Sequence, residues 1–253
     1  MGKIIAIVNQ KGGVGKTTTA VNLTAAVGAQ GKKVLLVDID PQGNATSGLG
    51  INKRDVRFSS YDNIINAVPA AQTIIHSPFK NVDVIPSTMD LAGAELELVD
   101  VDRREAKLRT CLALVKSQYD FIFLDCPPSL GLITLNGLCA ADTLLVPIQC
   151  EYYALEGLSQ LSVTIRQVKK LYNKNLEIAG ILITMFDKRL NLSKSVLNEI
   201  RKYYPDQLFK ETIARNVRLS EAPSYGMPVL YYDKHSKGAS SYEKIATELM
   251  KRM

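Results

Sequence analysis

The sequence predicts an α/β fold, a mainly parallel sheet with helices on both faces. Short apolar runs rich in β-branched residues recur along the 253-residue chain. Helical patterns separate them, which is the arrangement that parallel strands and their crossovers require. A glycine-rich loop joins the first run to the first helix, and the functional reading starts there.

The elements follow in order. Ile4–Asn9 (IIAIVN) is apolar nearly throughout and reads as a buried strand. Thr17–Gln30 carries a helical pattern stopped by Gly31, and Lys33–Ile39 (KVLLVDI) is a second buried strand. Strand, loop, helix and strand make a βαβ unit with its two strands parallel. Val82–Pro86, Phe121–Asp125 (FIFLD), Thr143–Ile148 (TLLVPI) and Ile178–Thr184 (IAGILIT) read as further strands. Arg103–Lys116, Leu155–Tyr172 and Ser193–Tyr204 read as helices. No long linker, low-complexity stretch or internal repeat intervenes, so residues 1–253 are expected to form one domain.

Composition narrows the class. Hydrophobic residues make up 46% of the chain, enough for a core without cross-links. The four cysteines (Cys111, Cys126, Cys139 and Cys150) show no C-x-x-C pair, and His76 and His235 are the two histidines, so a metal or Fe–S centre is disfavoured. Buried thiols in a reducing cytosol are expected. No run has the length of a membrane span and the N-terminus lacks a signal peptide pattern, so a cytoplasmic protein is expected. The net charge of +6 favours an anionic surface partner.

The loop is Lys11-Gly12-Gly13-Val14-Gly15-Lys16-Thr17-Thr18. It departs from the strict G-x-x-x-x-G-K-[ST] pattern, because the first glycine position holds Gln10. The physical requirements are still met. The glycines let backbone N–H groups approach phosphate oxygens, and the following helix points its N-terminal dipole at the same anion. Lys16 can reach the β- and γ-phosphates, and the Thr17 hydroxyl can ligate Mg²⁺. Carboxylates near the γ-phosphate are offered at strand ends by Asp38, Asp40 and Asp125. An Asp after four apolar residues, as in FIFLD, reads as a carboxylate holding Mg²⁺ through water. Taken alone, Asp125 also suits a turn or a helix cap.

The runs KGGVGKTT, DIDPQ and FLDCPPS together resemble the ParA/MinD group of deviant Walker A ATPases, within the P-loop NTPases. EYYALEG (151–157) and IARNVRLSEAP (213–223) look like the chromosomal ParA branch, called Soj. The resemblance implies a homodimer closed over two ATP molecules. It implies that Lys11 reaches the partner's phosphates, that Gly12 lies where the partner loop comes closest, and that Asp40 orients the attacking water. It places adenine against Ala214 and Asn216, with Met185 packed on the base. A proline is common in the family at the Ala214 position.

The same resemblance implies a slow, Mg²⁺-dependent ATPase acting in chromosome partitioning, cytoplasmic and associated with the nucleoid. Its expected partners are nonspecific double-stranded DNA and a ParB/Spo0J-type protein that stimulates hydrolysis through a basic N-terminal peptide. Basic residues cluster in the second half, among them Lys188, Arg189, Arg201, Lys202, Arg215 and Arg218. Of these, Arg189 and Arg218 match positions that contact DNA in Soj-like proteins. The main rival is a MinD-like membrane switch, since Tyr242–Met253 is amphipathic. Its apolar stripe lacks Phe and Trp, so packing on the core is favoured over a membrane. A metabolic or metal-delivering enzyme of the same superfamily is a further rival.

Overall fold

Residues 2–253 are described by a computed structural model. Seven strands build one sheet: β1 Lys3–Ile7, β2 Val34–Asp38, β3 Ile75–His76, β4 Val82–Ile85, β5 Phe121–Asp125, β6 Thr143–Gln149 and β7 Glu177–Thr184. Their spatial order is β3-β4-β2-β5-β1-β6-β7. Every pairing is parallel except β3 with β4. The predicted parallel relation of β1 and β2 holds, but β5 lies between them.

Alternation divides the core into two layers. Ile4, Ala6 and Val8 face one side, packed with the helices Lys107–Ala113, Leu132–Ala140 and Ala154–Leu171. Ile5 and Ile7 face the other, with the helices Lys16–Ala29 and Lys237–Arg252. Burial on both faces is why these strands read as continuous apolar runs. All four cysteines are buried free thiols, and burial pushes Cys111 and Cys150 up to about 11 and Cys139 up to about 12. Among the described residues, no helix is long and apolar enough to cross a membrane.

Several expected elements differ from the structure. Arg103–Lys116 is not one helix: a 3-10 turn over Arg104–Ala106 leads into Lys107–Ala113, and another 3-10 turn follows at Lys116–Gln118. Arg103 is held at φ 51°, so the helix cannot begin there. The antiparallel edge strand β3 and the helix Leu132–Ala140 were not anticipated. β3 is two residues long, and the helix is buried nearly all round, Thr134 and Asn136 included, so it shows no periodic apolar face.

The C-terminal helix starts earlier than its amphipathic stripe suggested, with Ser236 accepting from the Ala239 N–H at 3.2 Å as its N-cap. Tyr242, Ile245, Ala246 and Leu249 are buried in the core. The Tyr242 hydroxyl lies 3.2 Å from Thr19 Oγ1, on the helix that follows the glycine loop. Arg252 stacks over Phe209 and donates to the carbonyls of Ala179, Asp206, Gln207 and Leu208. The stripe is therefore part of the fold's interior.

Candidate nucleotide-binding site

The loop leaves the carboxyl end of β1 and turns into the helix Lys16–Ala29. Gly13 (φ 73°) and Gly15 (φ 85°) take the left-handed conformation, which explains why glycine stands at both. Gly15 is the N-cap and has no side chain to occupy the first helical N–H groups, so these remain available to an anion. Val14 is buried, and its carbonyl accepts from Thr184 Oγ1 at 2.8 Å. Its side chain is therefore turned into the core and not toward a ligand. A Cβ placed on Gly12 meets nothing within 4 Å among the described residues, so this part of the loop faces open space.

A cleft of about 750 Å³ opens over the loop. It is lined by Gly12, Gly13, Gly15, Lys16, Thr17 and Thr18 of the loop and helix start, and by Asp40, Pro128, Met185, Ala214 and Asn216. The structure thus brings most of the expected phosphate and adenine residues to one cavity, while Lys11, Val14 and Asp125 do not line it. Ala214 is positioned by a bridge to Phe186, and the neighbouring Ile213 N–H donates to the Ile183 carbonyl at 2.8 Å. Asn216 caps the helix Val217–Glu221, its Oδ1 accepting from the Arg218 N–H at 2.9 Å. That leaves the Asn216 amide NH₂ as the group free to donate to a base. Met185 sits at φ 49°, a strained conformation for a non-glycine residue, at the mouth of the cleft.

Lys16 is buried and donates to the Lys11 carbonyl at 3.0 Å. Burial lowers its pKa, while Asp125, Cys126 and Asp40 oppose the shift. Lys11 stands at the rim with its ammonium ion-paired to Glu151, both side chains half-exposed.

Asp38 and Asp125 lie side by side, paired in register at the ends of β2 and β5. Asp38 is fully buried and accepts from the Asp40 N–H at 3.1 Å, the Thr46 N–H at 2.8 Å and Thr46 Oγ1 at 2.7 Å. Burial pushes its carboxyl up to about 6 despite those bonds. Asp38 is therefore saturated by the chain itself and does not line the cleft. Asp40 does line it. Its Oδ1 accepts from the Gln42 N–H at 2.9 Å, which leaves Oδ2 for another donor.

Asp125 is the anomaly. It is fully buried, and both oxygens lack a well-formed hydrogen bond among the described residues. Burial and the neighbouring Asp38 hold its pKa well above the carboxylate range, with Thr17 and Lys16 opposing. An orphaned buried carboxylate is costly unless something charged belongs beside it. The hard oxygen donors of Asp125 and Thr17 fit Mg²⁺.

Glu151, Thr184 and Pro128 join the site without having been foreseen. Lys11 and Glu151 are 140 residues apart in sequence, and nothing local links them. Arg189 and Arg218 are exposed, as a DNA contact needs, but each already has a carboxylate. Arg189 forks onto Asp187 at 2.7 and 3.0 Å, and Arg218 meets Glu221 at 2.8 Å and Asp233 at 3.3 Å.

Residues 2–178 match the family model described as an AAA domain. The cobyrinic acid a,c-diamide synthase of Mycobacterium smegmatis, solved with bound ADP and magnesium, superposes with a TM-score of 0.87 at 35% identity, covering 99% of this chain and 95% of that one. With a glycine loop after β1 and carboxylates on adjoining strand ends, the fold is that of a P-loop NTPase. The chain is 56% identical to the sporulation initiation inhibitor protein Soj of Bacillus subtilis over 98% of each. It is 52% identical to the chromosome partitioning protein ParA of Myxococcus xanthus, over 100% of this chain and 89% of that protein. The chain belongs to the ParA/Soj family of chromosome-partitioning ATPases.

Proposed function

We propose that the protein is a dimerising, DNA-binding ATPase of chromosome partitioning that uses ATP/ADP and Mg²⁺. The reading rests most on one observation: Gly12 borders open space and the half-exposed Lys11 side chain is held by Glu151, while Lys16 and Asp125 are buried. On this reading the loop serves this chain's own nucleotide, and Lys11 and Gly12 also meet a second copy. The nucleotide and metal bound to the Mycobacterium smegmatis protein support the choice of ligands.

The residues divide the work. Lys16 exchanges the Lys11 carbonyl for phosphate oxygens, a stronger, charge-assisted bond. The backbone N–H groups of the loop cradle the same phosphates, and Asn216 and Met185 hold the base. Thr17 and Asp125 would hold Mg²⁺, Asp125 through water, and the ion would supply positive charge to the phosphates. The free oxygen of Asp40 orients a water molecule toward the γ-phosphorus. Water adds to phosphorus, the bond to the β-phosphate oxygen breaks, and ADP and phosphate leave. Lys11, released from Glu151, supplies positive charge to the partner's phosphates.

Dimerisation doubles the basic surface around Arg189 and Arg218, which links affinity for DNA phosphates to ATP. A ParB/Spo0J-type partner stimulates hydrolysis and thereby release. The protein acts in the cytoplasm on the nucleoid. Burial of Tyr242, Ile245 and Leu249 supports this reading over a MinD-like membrane switch, which needs those faces for lipid.

The deciding experiment is DNA binding against salt concentration, in ATP and in ADP, with mass measured by light scattering. ATP should give a dimer with steep salt dependence, and ADP a monomer with weak binding. A monomer in both states, or equal affinity in both, would remove the proposed switch.

A further inference from the structure

A second cavity, of about 590 Å³, shares no lining residue with the nucleotide cleft. One wall is the loop at residues 65–69 after the short helix Ser60–Ile64, and the other is the stretch at residues 102–114. A buried asparagine holds each wall in shape. Asn63 donates to the Val68 carbonyl at 2.8 Å and accepts from Thr73 Oγ1 at 3.1 Å. Asn136, on the helix Leu132–Ala140, donates to the Arg104 carbonyl at 2.8 Å and accepts from the Leu108 N–H at 3.1 Å. Each wall also carries a non-glycine residue in the left-handed region, Ala67 at φ 54° and Arg103 at φ 51°. Such backbone persists only where its surroundings impose it. The walls are therefore pinned by the fold, and the space between them is preformed.

The lining divides by chemistry. Ile64, Ala106 and Cys111 are buried and apolar, and Leu114, 69% exposed, carries the apolar surface out to the rim. Arg103, Lys107 and Arg109 line the same cavity against one carboxylate, Asp102. Among the described residues none of these three cations forms an ion pair, whereas Arg189, Arg218 and Arg252 all do. The volume falls within the roughly 300–1,000 Å³ of small-molecule sites, where an apolar lining with a few convergent polar groups is the usual pattern.

We propose that this cavity binds a small amphipathic organic anion, a short hydrocarbon body bearing a carboxylate or a phosphate. The body covers Ile64, Ala106 and Leu114, and the head group takes charge-assisted hydrogen bonds from Arg103, Lys107 and Arg109. Charge and shape together select this class. A cationic ligand would meet three like charges and a neutral one would leave them unused. Duplex DNA carries its phosphates on a convex surface and would leave the apolar floor uncovered. The site needs neither the ATP dimer nor DNA.

The test titrates decanoate and decyl phosphate, each below its micelle concentration, into the full chain. ADP and Mg²⁺ are present in excess so that the nucleotide cleft is not the site read. Calorimetry reports affinity and hydrogen exchange reports location. Saturable binding of at least one anion is expected, with protection over residues 63–69 and 102–114. Decanol, which lacks the charge, should bind more weakly by about tenfold. Lys107→Gln with Arg109→Gln should weaken the anion by about tenfold as well. Thr110→Trp fills the cavity from an exposed lining position and should abolish binding. Both variants should keep the wild-type melting temperature, because the replaced side chains lie outside the core. The proposal is overturned if neither anion binds saturably, if decanol binds as well as the anions, if the double variant binds unchanged, or if protection falls elsewhere. Binding to phosphatidylglycerol vesicles without binding of the monomeric anions, or tighter binding of an acidic leucine-rich peptide at the same residues, would also overturn it, in favour of a membrane or a protein partner.

Discussion

The Lys16 ammonium donates to the Lys11 carbonyl across 3.0 Å, so the loop is held closed by the lysine that a phosphate would claim. Lys16→Ala removes that donor and leaves Asp125 and Asp40 without their nearby cation. ATP turnover should fall by about 10²–10³-fold. Titration with a fluorescent ATP analogue should show lost affinity. Normal turnover in this variant would take Lys16 out of the mechanism.

Gly12→Val separates nucleotide binding from dimerisation. A Cβ added at Gly12 meets nothing within 4 Å in its own chain among the described residues, so the melting temperature should be nearly unchanged. ATP should still bind, and light scattering should report a monomer. A normal ATP dimer would mean that the partner loop does not approach Gly12.

Asp40→Ala should leave the fold and the nucleotide contacts intact, because the carboxylate's hydrogen bond within the chain is a local turn to the Gln42 N–H. The ATP dimer should form, stay on DNA and release little phosphate. The check is phosphate release alongside residence time on DNA. Ordinary turnover would reassign the water-positioning role.

Arg189→Glu with Arg218→Glu tests the cationic surface. Each phosphate contact contributes about 0.9 to the slope of log affinity against log salt. Two arginines per protomer, counted over a dimer, should flatten that slope by about 3–4. Both arginines are exposed, so stability should change little. Unchanged affinity in the ATP state would move the DNA surface elsewhere.

Leu249→Ala tests whether the last helix belongs to the core. Leu249 is fully buried, so truncation should cost about 2–5 kcal/mol in urea unfolding. The wild-type protein with ATP should not float with anionic liposomes. Flotation, together with a small cost for Leu249→Ala, would favour a membrane role for this helix.

The short strands were legible because burial on both faces writes an unbroken apolar run, as in FIFLD and VLLVD. The glycine loop was legible because its demands are local: left-handed backbone at Gly13 and Gly15, then a helix. The helix Leu132–Ala140 was not, because a helix buried on nearly every side, with Thr134 and Asn136 inside too, has no apolar face to show. Arg103–Lys116 read as one helix because propensity does not reveal the left-handed turn at Arg103.

By itself the sequence determined the αβ alternation, the phosphate loop and the strand-end carboxylates, because each is set by residues adjacent in the chain. The tertiary structure decided what those carboxylates can do. Asp38 and Asp125 stand in register on neighbouring strands, yet Asp38 is saturated by Thr46 and Asp40 while Asp125 has no well-formed hydrogen bond among the described residues. It also decided that Lys11 faces Glu151 and that the terminal amphipathic stripe is interior. These depend on which distant segments share a hydrogen bond or a buried surface, and periodicity within one segment carries no record of its neighbours across the sheet.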